Sequence, residues 1–214
     1  MKTLVDNDVI LKSSVYDLLK VLLTAPSEAH EPVGVLGAAR YVISDALVKR
    51  SKVLAPEPII ARMLAFLDDN EILEPTHEEQ ELAAEFESLA QMAGLALDTG
   101  ESQLCAILIV RHVPLLITGD KRAIIALENL LDSHVSMAAL IGRVRCFEQL
   151  IKFSLNAQSD PRIRTSICAH KDIDKALSIC FSCASGNTDM DSAHIALESY
   201  INALRVEAPR LLCI

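Results

Sequence analysis

Tryptophan is absent from this 214-residue chain, and all aromatic residues together make up only 4% of it. Hydrophobic residues nevertheless account for 51% and charged residues for 23%, which favours a real core and argues against global disorder. That core has to be built from Leu, Ile, Val and Ala, and we expect helices packed on a small sheet. The length fits one domain with an extension, or two small domains.

Positive charge is also scarce, because 20 Lys and Arg residues face 29 Asp and Glu residues, for a formal net charge of −9. This balance argues against a protein that coats nucleic acid through its overall field. It is compatible with a nuclease that has a local basic rim around an acidic site.

Long apolar runs are missing as well. No stretch reaches the roughly 18 consecutive apolar residues of a membrane span, and the opening MKTLVDNDVI is too short and too acidic for a signal peptide. The six cysteines show no framework spacing, so we expect reduced thiols in a cytoplasmic protein with no membrane contact. Cys180 and Cys183 have zinc-like spacing near Cys168, but a predicted helix with core periodicity favours buried side chains there.

Hydrophobic periodicity predicts alternating strands and helices up to about residue 134. TLVDNDVI and VPLLIT (113–118) are typical of strands, and the capping box of Thr76 and Glu79 marks a helix that ends at Gly94. The predicted helices of this part are 14–23, 33–50, 57–69, 76–94, 101–112 and 119–131. Strands joined by helices predict a parallel sheet.

Beyond residue 134 the pattern predicts helices alone, at 139–154, 161–169, 171–184 and 189–206. We therefore predict an α/β domain over residues 1–134 and an all-helical C-terminal extension over residues 135–214. The apolar faces of these helices predict core packing first, and a homodimer or a partner protein second.

Acidic residues recur where predicted strands end or helices begin. Asp6 and Asp8 end the first strand, Asp98 and Glu101 open a helix, and Asp120 follows VPLLIT. Ligands of open α/β sheets bind at the carboxyl edge, and gathered carboxylates select Mg²⁺ or Mn²⁺. The pattern predicts metal-assisted phosphodiester hydrolysis, although helix capping would also explain Asp6 and Asp98, and the helix dipole Glu101.

DNDVIL, LDTGESQLCAI and LLITGDKRAIIAL, in this order, resemble the metal-binding segments of PIN-domain nucleases over roughly residues 3–130. The resemblance implies a three-layer domain with a central parallel sheet flanked by helices, and RNA cleavage with Mg²⁺ or Mn²⁺. By position, Asp6 matches the first family acid, Glu101 or Asp98 the third, and Asp120 the fourth. Asp8 takes the place of a polar assisting residue.

The second family acid, a Glu in the helix VGVLGAARYVI, is replaced by Ala38 or Ala39. Asp8 is a possible substitute ligand. A catalytically degenerate PIN-like module that acts as a protein-interaction scaffold is therefore an alternative to the nuclease. We assign catalysis to Asp6, Glu101 and Asp120, and metal binding to these three with Asp8 and Asp98.

DNDV also resembles the Asp-x-Asp-x-Val signature of haloacid-dehalogenase-like phosphatases, in which the first Asp is the nucleophile. Thr118 after a strand and GNTDMD (186–191) loosely match further motifs of that family, whereas its lysine-bearing motif is missing. This phosphatase is the less favoured alternative. For an RNA substrate, Lys121, Arg122 and Lys12 are the predicted phosphate contacts, although solvated helix-start charges explain them nearly as well.

Overall fold

A single sheet of five parallel strands lies at the centre of the molecule. The computed structural model describes residues 3–20, 31–49, 53, 55–158, 161–185 and 190–213. The strands are β1 (Thr3–Val5), β2 (Gly34–Leu36), β3 (Glu71–Leu73), β4 (Leu115–Thr118) and β5 (Val144–Cys146). Their spatial order is β3-β2-β1-β4-β5. The chain first adds β2 and β3 on one side of β1 and then adds β4 and β5 on the other side, so the strand order reverses between β1 and β4.

Helices connect and flank these strands. In chain order they are α1 (Asn7–Val15), α2 (Ala39–Lys49), α3 (Pro56–Asp68), α4 (His77–Met92), α5 (Thr99–Val110), α6 (Lys121–Leu130), α7 (Phe147–Gln158), α8 (Pro161–Ala169), α9 (Lys175–Cys180) and α10 (Met190–Glu207). A 3₁₀ helix, Val135–Leu140, precedes β5. Among the described residues, no helix is both long and apolar enough to cross a membrane.

Alternating side chains of the strands pack into two separate cores. Leu4 and Leu116 face the core formed with α4, α5 and α6, whereas Val5 and Ile117 face the core formed with α1, α2, α3 and α7. This alternation is the period of two that an extended strand imposes. The result is a three-layer α/β fold with helices on both faces of a parallel sheet, and that part of the prediction is confirmed.

Three short strands were not predicted. β2 lies inside the predicted helix 33–50, and β5 lies inside the predicted helix 139–154, so the all-helical character expected for residues 135–214 is wrong at β5. β5 pairs with β4, and the sheet therefore continues past the predicted boundary near residue 134. β3 was not predicted at all.

The start of the chain also differs from the prediction. A helix was expected over residues 14–23, but α1 spans Asn7–Val15. Residues 16–18 are not helical, residues 19 and 20 are helical again, and residues 21–23 lie outside the described part. Asp6 is consequently the N-cap residue of α1, and Asp8 lies in its first turn. Both aspartates thus belong to a strand-to-helix junction, as expected for the carboxyl end of a parallel strand.

Cys168 and Cys183 form a disulfide that joins the end of α8 to the turn after α9. The prediction of six reduced cysteines is wrong for this pair, because the chain folds back after α8 and brings residues that are 15 positions apart together. Cys105, Cys146 and Cys180 are free and buried. Cys183 is bonded to Cys168 and is therefore not half of a zinc pair in this structure, and the predicted packing role holds for Cys180 alone.

A buried ion pair fixes α4 to the end of α5. The Glu79 side chain is fully buried, and it receives hydrogen bonds from Arg111 Nε at 2.6 Å and Arg111 Nη2 at 2.7 Å. Glu79 also completes the predicted capping box with Thr76. Hydrogen bonds from Arg111 lower the pKa of Glu79, because they favour its charged form against burial.

Residues 208–213 cover the outer edge of β5. Gly142 N–H donates to the Arg210 carbonyl, Cys213 N–H donates to the Val144 carbonyl, and Val144 forms a parallel bridge with Leu212. The Glu128 carboxylate on α6 anchors this segment by accepting hydrogen bonds from the Arg210 side chain and from the N–H groups of Arg210 and Leu211. The edge strand is thus already paired.

Candidate functional site

A cavity of about 810 Å³ opens at the carboxyl edge of the sheet. It lies beside β1 and β4, where the strand order reverses, and this is the place at which open α/β sheets bind ligands. The five carboxylates predicted as metal ligands all line it: Asp6, Asp8, Asp98, Glu101 and Asp120. The fold therefore brings together three segments that are more than 100 residues apart at their extremes.

Asp6 is the most deeply buried of these carboxylates, with 5% of its surface exposed. Its N–H donates to the Ile117 carbonyl, which continues the pairing of β1 with β4 by one residue. Burial raises its pKa to about 6, and the nearby Asp8 carboxylate adds to this effect. The group is held in a position that disfavours its own negative charge.

Thr118 connects the ends of β1 and β4. Its hydroxyl donates to Asp6 Oδ2 at 3.3 Å and accepts from the Asp120 N–H at 3.2 Å. With 1% of its surface exposed, this threonine is a buried polar residue at the end of an otherwise apolar strand. From the sequence, Thr118 was predicted only as part of the phosphatase alternative, although its position at the end of the strand VPLLIT also placed it at the carboxyl edge of the sheet.

Glu101 faces the same cavity from the first turn of α5, and it is 8% exposed. Burial raises its pKa to about 7, and the charges of Asp6, Asp98 and Asp120 contribute to the rise. The Asp6 and Glu101 carboxylates therefore line one cavity, and the negative charge of Asp6 disfavours ionisation of Glu101. A cation in the cavity would relieve the repulsion between them.

Asp98 and Asp120 are both N-cap residues, but only one of them caps its helix with its side chain. Asp98 makes no capping hydrogen bond to α5. Asp120 Oδ1 accepts from the N–H groups of Arg122 at 2.7 Å and Ala123 at 3.4 Å, and Oδ2 accepts from Arg122 Nη2 at 2.9 Å. Burial acts to raise the pKa of Asp120, but the hydrogen bonds from Arg122 outweigh it and lower this pKa.

Part of the cavity lining is apolar. α2 contributes Val42, Ile43 and Ala46, and the turn before it contributes Ala38. Of the two alanines at which the PIN-domain resemblance predicts a Glu, Ala38 lines the cavity, whereas Ala39 is fully buried in the core. As a result, α2 supplies no carboxylate to the cavity, and all the acids come from the β1, α5 and β4 side.

The three predicted phosphate contacts are all paired with carboxylates. Lys12 lines the cavity but contacts Asp8 at 2.6 Å and Asp174 at 2.8 Å. Lys121 contacts Glu148 at 2.6 Å, and its Nζ lies 4.7 Å from the centre of the Tyr200 ring. Arg122, which is 77% exposed at its side chain, contacts Asp120.

Asp174 and Glu148 come from the C-terminal part of the chain and were not predicted as site residues. Their role depends on contacts across 162 residues for Lys12 and Asp174, and no local sequence signal reports such a contact. Gly119 was likewise not singled out. A Cβ atom at Gly119 would collide with the Asp8 carboxylate, which closes over this turn.

The carboxylates do not form a closed metal cage as they stand. Across the described residues, no three His, Cys, Asp or Glu side chains form a group that could hold a metal ion. The site is thus an open cavity lined by carboxylates, in which the Thr118 hydroxyl holds Asp6 by a hydrogen bond. Comparisons with family models, with curated proteins and with solved structures found no match to this chain.

Proposed function

We propose that the chain is a PIN-like ribonuclease that depends on Mg²⁺ or Mn²⁺. Asp6, Glu101 and Asp120 carry the cation site in this proposal, and Asp8 and Asp98 assist. One observation carries the proposal: the five carboxylates line one cavity at the point where the strand order of the sheet reverses. Acids from distant segments gather there at a cost in repulsion, which a bound cation would remove.

The donor set fits a hard divalent cation. Carboxylate oxygens are the ligands that Mg²⁺ and Mn²⁺ prefer, and Mg²⁺ commonly keeps several waters while one or two carboxylates and a substrate phosphate complete its shell. An open arrangement of carboxylates is compatible with a metal ion that keeps several of its waters. Burial, together with repulsion from neighbouring carboxylates, raises the pKa values of Asp6 and Glu101, and a bound cation would offset both effects.

The protein's own groups would divide the work as follows. Asp6, oriented by the Thr118 hydroxyl, and Glu101 would both hold the cation, since both line the cavity. A bound Mg²⁺ or Mn²⁺ would lower the pKa of a water molecule and stabilise the leaving oxygen of a phosphodiester. Arg122 is exposed enough to move from Asp120 to a phosphate of the RNA.

A second function, a catalytically degenerate module that binds another protein, has observations of its own. The apolar wall at Ala38 and Val42 lacks the acid that the family pattern predicts. Ile195 and Val206 are 72% and 78% exposed, and their spacing of eleven residues places them on one face of α10. A scaffold would use that face and would not need the cavity.

Titration calorimetry with Mn²⁺ separates these functions. Wild type should bind Mn²⁺, Asp6→Asn should bind it at least tenfold more weakly, and Asp45→Asn should match wild type. Asp45 is a suitable control because it is exposed on α2, pairs with Lys49 and does not line the cavity. No heat of binding to wild type at millimolar Mn²⁺ would overturn the proposal.

Activity then distinguishes the remaining possibilities. The nuclease should cleave a single-stranded RNA in Mn²⁺, and Glu101→Gln should abolish this cleavage. Binding of Mn²⁺ without any cleavage would favour the scaffold. Hydrolysis of an aryl phosphate without cleavage of RNA would instead favour the phosphatase.

A further inference from the structure

Lys12 is an unusual lysine, because it is buried in the wall of an acidic cavity. Only 11% of its side chain is exposed, and its ammonium group lies between Asp8 Oδ2 and Asp174 Oδ2. Its Nζ also lies 5.6 Å from the centre of the Phe147 ring. A buried ammonium requires such partners, since removing it from water without them is costly.

Asp174 fixes this ammonium from a part of the chain that supplies none of the predicted metal ligands. It is the N-cap residue of α9, and its Oδ1 accepts from the Leu177 N–H at 3.0 Å. Its Oδ2 is the oxygen that contacts Lys12. Both oxygens are therefore engaged, and the cap holds the side chain of Asp174 in one orientation.

Asp8 is the third member of this chain of contacts. Its Oδ2 accepts from Lys12 and lies against Gly119, in the turn that leads from β4 to Asp120. The Lys12 Nζ reaches the same glycine, at 3.3 Å from the position that a Cβ would take. Asp8 is thus pressed against the β4–α6 turn by a lysine that has its own anchor.

We infer that Lys12 and Asp174 are positioning residues of the carboxylate site, which act by fixing the side chain of Asp8. This inference rests on the proposed cation site, and it replaces the predicted contact of Lys12 with a phosphate. Two carboxylates balance the Lys12 charge, and the surrounding ring and glycine turn close the space around its ammonium group. Residues that orient metal ligands commonly change metal affinity roughly 10- to 100-fold when replaced.

The sign of the effect of Lys12→Met tests this role. A lysine that merely opposes the cation would, when removed, leave the cavity more negative and tighten Mn²⁺ binding. A positioning lysine would release Asp8 from the turn and weaken Mn²⁺ binding in spite of the added negative charge. We expect a Kd for Mn²⁺ roughly tenfold higher in Lys12→Met than in wild type.

Two further variants and a control complete the experiment. Asp174→Asn keeps a capping oxygen at the start of α9 and should also weaken Mn²⁺ binding. The double variant should bind no more weakly than Lys12→Met alone, because both residues act through Asp8. Lys152→Met removes the same charge from the Lys152–Glu198 pair between α7 and α10 and should leave the Kd unchanged.

The outcomes are distinguishable. A wild type that binds no Mn²⁺ overturns the proposed function, and this inference with it. Binding by wild type together with an unchanged or lower Kd in Lys12→Met overturns the positioning role alone. A higher KM for RNA in Lys12→Met with an unchanged Mn²⁺ affinity also overturns it, since Lys12 would then contact the phosphate.

Discussion

The stability of the metal-free protein should fall as the pH rises from 5 to 8. Asp6 has a pKa of about 6 in place of 3.8, and Glu101 has a pKa of about 7 in place of 4.5. In this range the folded state binds more protons than the unfolded state, so the free energy of unfolding decreases with pH. The loss begins near pH 4 to 5 and is complete only above the raised pKa values.

The magnitude follows from the size of the two shifts. A rise of roughly two pKa units corresponds to about 3 kcal/mol for each group once it is fully ionised. Part of this is already present at pH 5, and the charge of Asp6 is one cause of the raised pKa of Glu101, so the two contributions do not add. We expect a net loss of about 3 kcal/mol between pH 5 and pH 8.

Urea unfolding at several pH values in the presence of a chelator measures this loss. Glu101→Gln should be about 3 kcal/mol more stable than wild type at pH 8 and only about 1 kcal/mol more stable at pH 5. Glu78→Gln, which removes the same charge from an exposed position of α4, should keep the wild-type slope. A wild type whose stability is constant or rises over this range would refute the reasoning.

Three other changes have defined outcomes. Arg111→Met should lower the free energy of unfolding by about 3 kcal/mol in urea, because it leaves a fully buried carboxylate unpaired; a loss below 1 kcal/mol would contradict this. Gly119→Ala should weaken Mn²⁺ binding roughly tenfold, since the new methyl group displaces Asp8, and an unchanged Kd would show that Asp8 is not a ligand. Glu128→Ala should cost about 2 kcal/mol and raise amide hydrogen exchange in residues 208–213, which this carboxylate anchors; unchanged exchange would exclude that anchoring role.

Features that depend on residues close together in the sequence were predicted correctly. The capping box of Thr76 and Glu79 depends on residues three apart, and α4 begins and ends close to where it was predicted. The sequence did not predict β2 and β5, for a different reason. Each has three residues and runs almost directly into a helix, so its short apolar run is indistinguishable from a helical turn.

The candidate site divides in the same way. Acids that follow strands or open helices could be predicted from position alone, and the five predicted carboxylates line the cavity. The pairing of Lys12 with Asp174, and of Lys121 with Glu148, joins segments that only the folded chain brings together. A single sequence carries no local signal of those pairs, which is why the lysines were interpreted as free for phosphate.

Residues 208–213 pair with the outer edge of β5, so the two edges of the sheet differ in how open they are to pairing with another strand. At one edge, residues 208–213 already occupy the hydrogen-bonding positions of Val144. At the other edge, β3 exposes Glu71 and Ile72. Exposed edge strands are templates for pairing with another chain, and within the described residues β3 is the edge to which a further strand could add. The exposed carboxylate of Glu71 disfavours such pairing, because burying its charge against another strand would be costly.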